Sequence, residues 1–245
     1  EVFGESHSGT QWCNGGAFAE YASVPQDVLA PKPDSISFEQ AASVPTSGFI
    51  ALINLQNATQ IHPGQRVLIN GAGGGVGSIA VQLAKAYGAH VTGVDHTRKL
   101  EMVRALGADQ VIDYTREDFT ECAQRYDLIL DVASTLSFPS CKRALTPEGI
   151  YVLIGHDHFG RAGRRTFGSL PRFFTLMARS VFDRQLPRPG VSLPSKKDVM
   201  AILKEFLEAG KLTPIIDRTY PLKDVPEAMR YLQGGRARGK IIITP

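Results

Sequence analysis

The residues with the clearest chemical meaning form the run Gly-Ala-Gly-Gly-Gly-Val-Gly at 71–77, which Asn70 separates from an apolar stretch at 67–69. Ala72, Gly74 and Gly77 have the spacing of a dinucleotide fingerprint, with Ala72 in place of its first glycine. Small or missing side chains let backbone N–H groups approach a pyrophosphate, and a helix beginning here points its positive dipole end at the phosphates. The alternative is a flexible loop without a ligand. The strand pattern before the run and the helix pattern after it favour a nucleotide-phosphate site.

A second candidate is Asp95, which ends the next apolar stretch, at 90–94. It comes about 20 residues after the glycines, the distance at which an acidic residue binds the adenosine ribose hydroxyls. A carboxylate there repels a 2′-phosphate, so Asp95 favours NAD(H) over NADP(H). Arg98 and Lys99 follow within one helical turn and could bind that phosphate, or they could belong to a solvated helix face.

Alternating strand and helix patterns surround these residues. Strands are predicted at 67–69, 90–94, 110–113, 126–132 and 150–155, with helices at 77–87, 98–106 and 139–145. This alternation predicts an α/β fold with a doubly wound parallel sheet. Short strands are expected before residue 30, including one at 17–22, followed by a helix that a Ser37–Gln40 capping box begins and a helix at 47–55. The last part of the chain reads as helix 196–209, strand 214–220, helix 225–233 and strand 240–244.

Composition narrows the function. The 245 residues are 43% hydrophobic and carry a net charge of +3, which indicates a globular protein and gives no reason to expect nucleic acid or an anionic membrane surface as partner. The three cysteines are far apart without C-x-x-C spacing, which argues against a disulfide framework or a cysteine zinc site. Reduced thiols and the lack of a signal peptide predict a cytoplasmic location. The first residue is not Met, so we expect a fragment or a processed chain.

The order of several short segments resembles a known family, the zinc-independent medium-chain dehydrogenases/reductases of the quinone oxidoreductase and enoyl-reductase branch. The segments are Gly-Gly-Ala-Phe-Ala-Glu-Tyr at 15–21, Leu-Ala-Pro-Lys-Pro at 29–33, the glycine run at 71–77, Leu-Gly-Ala-Asp-Gln-Val-Ile-Asp-Tyr at 106–114, Tyr-Asp-Leu-Ile-Leu-Asp-Val at 126–132 and Arg-Ala-Arg-Gly-Lys-Ile-Ile-Ile at 236–243. Each segment alone is weak evidence for the family, but their shared order and spacing are specific to it.

The resemblance implies a Rossmann domain at 48–210 inserted in a partial GroES-like β domain formed by 1–47 and 211–245. Members of the family usually carry a further segment before the point where this chain begins, which holds much of that β domain. The implied cofactor contacts, besides Ala72, Gly74 and Gly77, are Gly73, Gly75 and Val76 at the pyrophosphate, Lys99 and Tyr114 at the adenosine, Ala133 and Ser134 at a ribose, and Gly155 and His156 at the nicotinamide. Asp131 is expected to be structural. Ile50 stands where several relatives have a threonine near the nicotinamide.

The predicted function is hydride transfer, without zinc, between NAD(P)(H) and a small molecule such as a quinone or conjugated carbonyl, or an alcohol or ketone. Conjugation already polarises such acceptors, and the protein supplies positioning and electrostatics. His156 is the nearest candidate proton donor, but no residue is assigned a catalytic role. An S-adenosylmethionine-dependent methyltransferase and a non-catalytic NAD(P)H-binding module stay open as alternatives. A short-chain dehydrogenase is disfavoured because the chain has no Tyr-x-x-x-Lys.

Residues 156–194 interrupt the alternation with a cluster of arginines: Arg161, Arg164, Arg165, Arg172, Arg179, Arg184 and Arg188. We expect a solvated irregular insertion beside the active site, and the alternative is a basic surface that attracts an anionic substrate or partner. By analogy with relatives that pair through a sheet edge, we expect a homodimer.

Overall fold

The computed structural model of the protein describes residues 1–6, 16–56, 61–155, 170–188 and 194–245. Within these ranges the strands are β1 (Val2–Gly4), β2 (Leu29–Pro31), β3 (Arg66–Asn70), β4 (His90–Asp95), β5 (Gln110–Asp113), β6 (Tyr126–Asp131), β7 (Leu145–Leu153), β8 (Ile216–Pro221) and β9 (Lys240–Thr244). The helices are α1 (Phe38–Ser43), α2 (Pro45–Gln56), α3 (Gly75–Ala86), α4 (Thr97–Ala105), α5 (Phe138–Lys142), α6 (Leu170–Arg179), α7 (Lys196–Glu208) and α8 (Val225–Gln233).

Five of these strands form the predicted parallel sheet, in the order β5-β4-β3-β6-β7. Val67 of β3 lies opposite Val91 of β4 on one side and opposite Leu128 of β6 on the other. The strand order therefore reverses beside β3, which opens a crevice at the carboxyl ends of β3 and β6 where ligands of such sheets bind. The predicted α/β class with a Rossmann-type sheet is confirmed.

The central strand β3 is buried on both faces, as its continuous apolar sequence predicts. Val67 and Ile69 belong to one buried cluster, which also contains Leu203 of α7, whereas Leu68 belongs to a second cluster with Tyr151 of β7. Successive side chains of a strand point to opposite faces, so this one strand supports both layers of the core.

Local capping signals set several helix starts. The Ser37 side chain accepts a hydrogen bond from the Gln40 amide (3.2 Å), and the Gln40 side chain accepts one from the Ser37 amide (2.9 Å). Ser195 caps α7 in the same way by accepting from the Asp198 amide at 3.1 Å. Such caps satisfy backbone donors that have no partner within the helix, so they can be found without tertiary information.

The strand expected at 17–22 is absent, because the described backbone there has bends and no strand pairing, and Tyr21 is 90% exposed. In the first part of the chain, β1 pairs with β2 instead, and Phe3 lies opposite Ala30 in this antiparallel pair. A strand forms only where a neighbour satisfies its backbone donors and acceptors, and the alternating pattern at 17–22 carries no information about that neighbour.

Two further boundaries differ from expectation. The helix predicted at 139–145 ends at Lys142, because β7 already begins at Leu145 and pairs there with Tyr126. Part of the segment expected to be an irregular insertion forms α6, and its Leu176 is buried in the second core cluster. The apolar residues of α6 recur at helical spacing, so the pattern was present, but the surrounding arginines, prolines and glycines obscured it.

The end of the chain lies against the glycine run. β8 and β9 form a parallel pair, and a bridge joins Gly239, just before β9, to Gly74. The division into 1–47, 48–210 and 211–245 stays a prediction. Among the described residues, no helix has both the length and the apolar character that a membrane crossing requires.

Candidate cofactor-binding site

The turn between β3 and α3 is closed too tightly for ordinary side chains. Gly71 has φ +90°, which favours glycine, and its carbonyl oxygen would lie 2.1 Å from a Cβ added at Gly77. A Cβ at Gly74 would meet only that oxygen, at an ordinary 3.5 Å. Gly77 is therefore required by the turn itself, whereas the space beside Gly74 is open for a ligand.

Ala72, which replaces the first glycine of the fingerprint, is fully buried. The chain accommodates its methyl group because a glycine, Gly93, stands opposite on β4, where an added Cβ would lie 3.1 Å from that of Ala72. Ala72 thus faces the interior. The part of the turn that stays partly exposed is Gly74, Gly75 and Val76, whereas Gly73 is buried.

The first turn of α3 has the electrostatics of an anion site. Its N-cap, Gly74, provides no side-chain cap, and the turn has no acidic residue. The first N–H groups of the helix therefore have no acidic side chain to bind, and the positive end of the helix dipole is not neutralised. Such a terminus is suited to a phosphate group.

Lys240 of β9 lies beside the same turn, although sequence reasoning did not single it out. A Cβ at Gly75 would lie 2.6 Å from the Lys240 Cδ, and the Lys240 ammonium donates to Ser47 Oγ at 3.2 Å. Burial lowers the pKa of Lys240. No carboxylate in the described part of the chain forms an ion pair with it. A partly buried cation with one neutral partner at a helix N-terminus indicates a site for an anionic group.

Asp95 is buried at the end of β4, but its carboxylate binds the protein itself. One oxygen accepts from the Gly73 amide (2.7 Å) and the other from the His96 amide (2.7 Å), and Lys99 lies 3.8 Å away. Burial lowers the pKa of Lys99, and the charge of Asp95 opposes this shift. Asp95 therefore holds the glycine turn, and only the remaining lone pairs of its oxygens are available to a ribose.

A cavity of about 620 Å³ lies between α4 and the C-terminal part of the chain and is strongly basic. Its lining residues are Arg98, Asp217, Arg218, Tyr231, Arg236 and Arg238. Arg98 donates to the Gly235 carbonyl (3.4 Å), which links α4 to the C-terminal unit. Arg218 is held over the Tyr231 ring (3.8 Å to its centroid) and donates to Asp217 (3.0 Å). With one carboxylate against four guanidinium groups, the cavity favours an anion.

Tyr114, predicted at the adenosine end, follows β5 and is 56% exposed. Its ring packs edge-on against His96, with centroids 6.0 Å apart, and its amide donates to the Asp95 carbonyl at 3.3 Å. The structure therefore brings Tyr114, Asp95 and Lys99 together at one end of the crevice.

The predicted ribose and nicotinamide contacts lie after β6 and β7. Ser134 is buried with φ +57°, a left-handed conformation that is strained for serine. Gly155 has no room for a side chain, because an added Cβ would lie 1.9 Å from the Val132 carbonyl oxygen. Ala133 donates its amide to Asn70 (3.0 Å) and so lies beside the end of β3.

A buried polar network holds this end of the crevice. Asp131 accepts from Asn70 (2.8 Å), the Ser134 amide (2.8 Å) and the Tyr151 hydroxyl (2.7 Å). Burial raises the pKa of Asp131 above its ordinary value, and these hydrogen bonds only partly oppose the rise. Because its carboxylate is fully enclosed, Asp131 is placed to fix the strand ends rather than to contact a substrate.

Arg172 of α6 completes the network and was not predicted as a site residue. It donates to the Ser134 carbonyl and hydroxyl (3.2 Å each) and to the Tyr151 hydroxyl (2.6 Å), and lies 3.7 Å from Asp131. The guanidinium thereby ties α6 to the loop after β6, and nothing local in the sequence indicates these contacts.

Three further points concern His156, Ile50 and a possible metal site. His156, the candidate proton donor, lies outside the described residues. Ile50 lies on α2 and is partly exposed. In the described ranges, no three His, Cys, Asp or Glu side chains are grouped so that they could hold a metal ion.

Comparison with known proteins identifies the relatives of this chain. A family model described as "Zinc-binding dehydrogenase" matches residues 106–243. A solved alcohol dehydrogenase superfamily protein from Novosphingobium aromaticivorans superimposes with a TM-score of 0.70 at 31% identity, covering 91% of this chain and 69% of that one. The chain belongs to the medium-chain dehydrogenase/reductase family. The resemblance to this family drawn from the sequence is confirmed, and the absence of zinc stays a prediction.

Other members of the medium-chain dehydrogenase/reductase family that match are named as reductases. The chain is 33% identical to the NADPH-dependent alkenal/one oxidoreductase, chloroplastic, of Arabidopsis thaliana, covering 94% of this chain and 53% of that protein. It is 31% identical to the 2-methylene-furan-3-one reductase of Solanum lycopersicum, covering 100% and 57% respectively. The quinone oxidoreductase from Coxiella burnetii superimposes with a TM-score of 0.72 at 27% identity, covering 91% and 65%. The chain spans little more than half the length of these two plant relatives.

Proposed function

We propose that the protein binds NADP(H) in the crevice beside β3 and serves in hydride transfer to a conjugated carbonyl compound or a quinone. The observation that carries this proposal is the open glycine turn with Lys240 against the N-terminus of α3. The relatives named as NADPH-dependent alkenal/one and quinone oxidoreductases support the reaction class.

The residues present fit a dinucleotide along the whole crevice. The pyrophosphate would lie on the amides of the first turn of α3, with the Lys240 ammonium as counter-charge. The adenosine would extend toward Asp95 and Tyr114, and the nicotinamide ribose toward Ser134 and Gly155. When bound, the cofactor supplies the hydride; the chain binds and orients it and excludes water from the reacting carbon.

The contacts of Asp95 and the arginines of the basic cavity favour NADP(H) over NAD(H). The preference for NAD(H) rested on a ribose-binding carboxylate, yet both Asp95 oxygens already accept backbone hydrogen bonds. Lys99 interacts electrostatically with Asp95 and also with Arg98 and Arg238, two residues of the basic cavity that could bind a 2′-phosphate bidentately. We therefore favour NADP(H), which makes Arg98 a phosphate ligand rather than part of a solvated helix face.

The cofactor preference is tested by titrating both cofactors into the wild type and into Arg98→Glu/Arg238→Glu. We expect the affinity for NADPH to fall about 100-fold and that for NADH by less than about threefold, since only NADPH carries the 2′-phosphate. Arg104→Glu, an exposed substitution on the same helix α4, is the matched control. Equal losses for both cofactors would reject the 2′-phosphate assignment.

The reaction is tested in two steps. NADPH at about 100 times its Kd should raise the free energy of unfolding by about 2.7 kcal/mol, whereas S-adenosylmethionine should have no effect. Oxidation of NADPH is then followed with an alkenal and a quinone. Stabilisation without any oxidation would support the non-catalytic binding module instead, and stabilisation by S-adenosylmethionine alone would revive the methyltransferase alternative.

We also propose that the transfer needs no zinc, because conjugated acceptors are polarised without a Lewis acid. Turnover that survives dialysis against a chelator would support this, and loss of turnover restored by Zn²⁺ would overturn it. The homodimer and the cytoplasmic location stay predictions, to be checked by light scattering and by fractionation of the source cells. Relatives named as chloroplastic and mitochondrial make the second of these measurements necessary.

A further inference from the structure

Helix α6 exposes a row of apolar side chains that its position in the fold does not use. The residues in this row, here called the α6 stripe, are Phe173, Phe174, Met177, Val181 and Phe182, each between 46% and 90% exposed. One turn of an α-helix separates residues 173, 177 and 181, so they lie on one side of α6 and of the turn that follows it. Large exposed apolar groups in such a row mark interaction surfaces more often than isolated ones do.

The opposite side of α6 is already occupied, so the stripe is not a misplaced core face. Leu176 is buried in the second core cluster, and Arg172 enters the polar network around Ser134 and Asp131. These contacts fix the rotation of the helix, and therefore fix the stripe outward.

The charge around the stripe identifies the kind of partner. Residues 170–188 contain four arginines and one aspartate, a net charge of +3, so the rest of the chain has no net charge against the total of +3. The aspartate, Asp183, is paired with Lys142 at 2.6 Å. Arg179 on α6 and Arg184 and Arg188 after it are exposed. The segment that carries the exposed phenylalanines thus has a positive net charge of the same size as that of the whole chain.

We propose that the α6 stripe is a docking site for an anionic phospholipid surface. A convex helix face with phenylalanine and methionine can insert between lipid acyl chains, while nearby arginines are attracted to anionic headgroups. A second copy fits less well, because two such faces would bring like charges together. The small net charge of the whole chain conceals this local asymmetry. The proposal does not depend on the proposed hydride transfer.

The test is flotation of the 245-residue chain with vesicles of phosphatidylcholine alone or with about 30% phosphatidylserine. We expect binding only to the anionic vesicles, with about a tenfold loss when salt rises from about 0.05 to about 0.5 M. Phe173→Ser/Phe174→Ser/Phe182→Ser should reduce binding at least about tenfold, whereas Phe18→Ser/Tyr21→Ser, an exposed pair elsewhere, should not. Circular dichroism and the NADPH-induced stabilisation check that each variant is folded.

The charge contribution is tested separately. Arg179→Glu/Arg184→Glu should weaken vesicle binding about tenfold, and Lys197→Glu/Lys211→Glu, an equal change of charge at exposed positions on another part of the surface, should weaken it much less. Absence of binding, equal binding to both vesicle types, or equal loss in the control variants would overturn the proposal. So would light scattering in which the stripe substitutions convert a dimer to a monomer, or binding to polyglutamate without binding to vesicles, which would assign the face to a second copy or to an acidic protein.

Discussion

The two ends of the crevice are built in different ways. The proposed phosphate end is a short turn whose shape follows from glycines within seven residues, completed by Lys240 from the far end of the sequence. The proposed nicotinamide end includes Ser134 and Gly155, in a region held in place by the buried contacts of Arg172 and Asp131. Local backbone geometry therefore defines the first end, and long-range polar contacts define the second.

The largest effect is expected from substitutions within the turn. Gly77→Ala places a Cβ 2.1 Å from the Gly71 carbonyl oxygen, and we expect a loss of about 4 kcal/mol or more in the free energy of unfolding, measured by urea denaturation.

The contrasting substitution is Gly74→Val, whose Cβ meets no atom closer than 3.5 Å. It should change stability by less than about 1 kcal/mol and weaken NADPH binding about 100-fold, because its side chain occupies the phosphate space. Similar losses of stability for both variants would remove the distinction between a glycine required by the fold and one required by the ligand.

At the other end, Arg172→Ala should lower the free energy of unfolding by about 3 kcal/mol, because it leaves the buried Asp131 without its ion pair. Thermal and urea denaturation measure this. Arg172→Lys should recover part of the stability but not the paired hydrogen bonds to Ser134. If Arg172→Ala were as stable as the wild type, the nicotinamide end would not depend on long-range contacts.

Lys240→Met is expected to have two smaller effects of opposite sign, one on stability and one on cofactor affinity. The free protein should become more stable by about 1 kcal/mol, because a cation without an acidic partner is removed, while NADPH binds about tenfold more weakly.

The pH dependence provides an independent check on Lys240. Because burial lowers the pKa of Lys240 in the folded chain, its charged form costs stability below that pKa, and this cost disappears as pH rises toward the unfolded value of 10.5. A bound phosphate favours the charged form. NADPH affinity in the wild type should therefore fall as pH rises through the lowered pKa, and the variant should lack this dependence.

The smallest effect is expected for Ala72→Gly, which restores the usual first glycine. Since the methyl group is buried against β4, its removal should cost about 1 kcal/mol of stability and leave NADPH affinity unchanged, as calorimetry would measure. Tighter cofactor binding by the variant would contradict the inward orientation of Ala72.

What the sequence could predict follows the same division. The glycine turn and the caps at Ser37 and Ser195 depend on neighbours a few residues away, and the structure contains them. The parallel sheet joins distant residues, but the regular alternation of strand and helix patterns along the chain predicted it. The contacts of Lys240 and Arg172 join residues that are far apart, with no local pattern to announce them. The strand expected at 17–22 was wrong for the same reason, since alternation of residue types does not supply a partner strand.

The bridge between Gly74 and Gly239 also limits how this protein can be recombined with its relatives. In a chimera that receives residues 48–210 from a relative, the glycine turn would come from that relative, whereas Lys240 and the C-terminal arginines would remain those of this protein. Compatible exchange would have to move the last strand together with the turn, because the proposed cofactor contacts come from separate parts of the sequence.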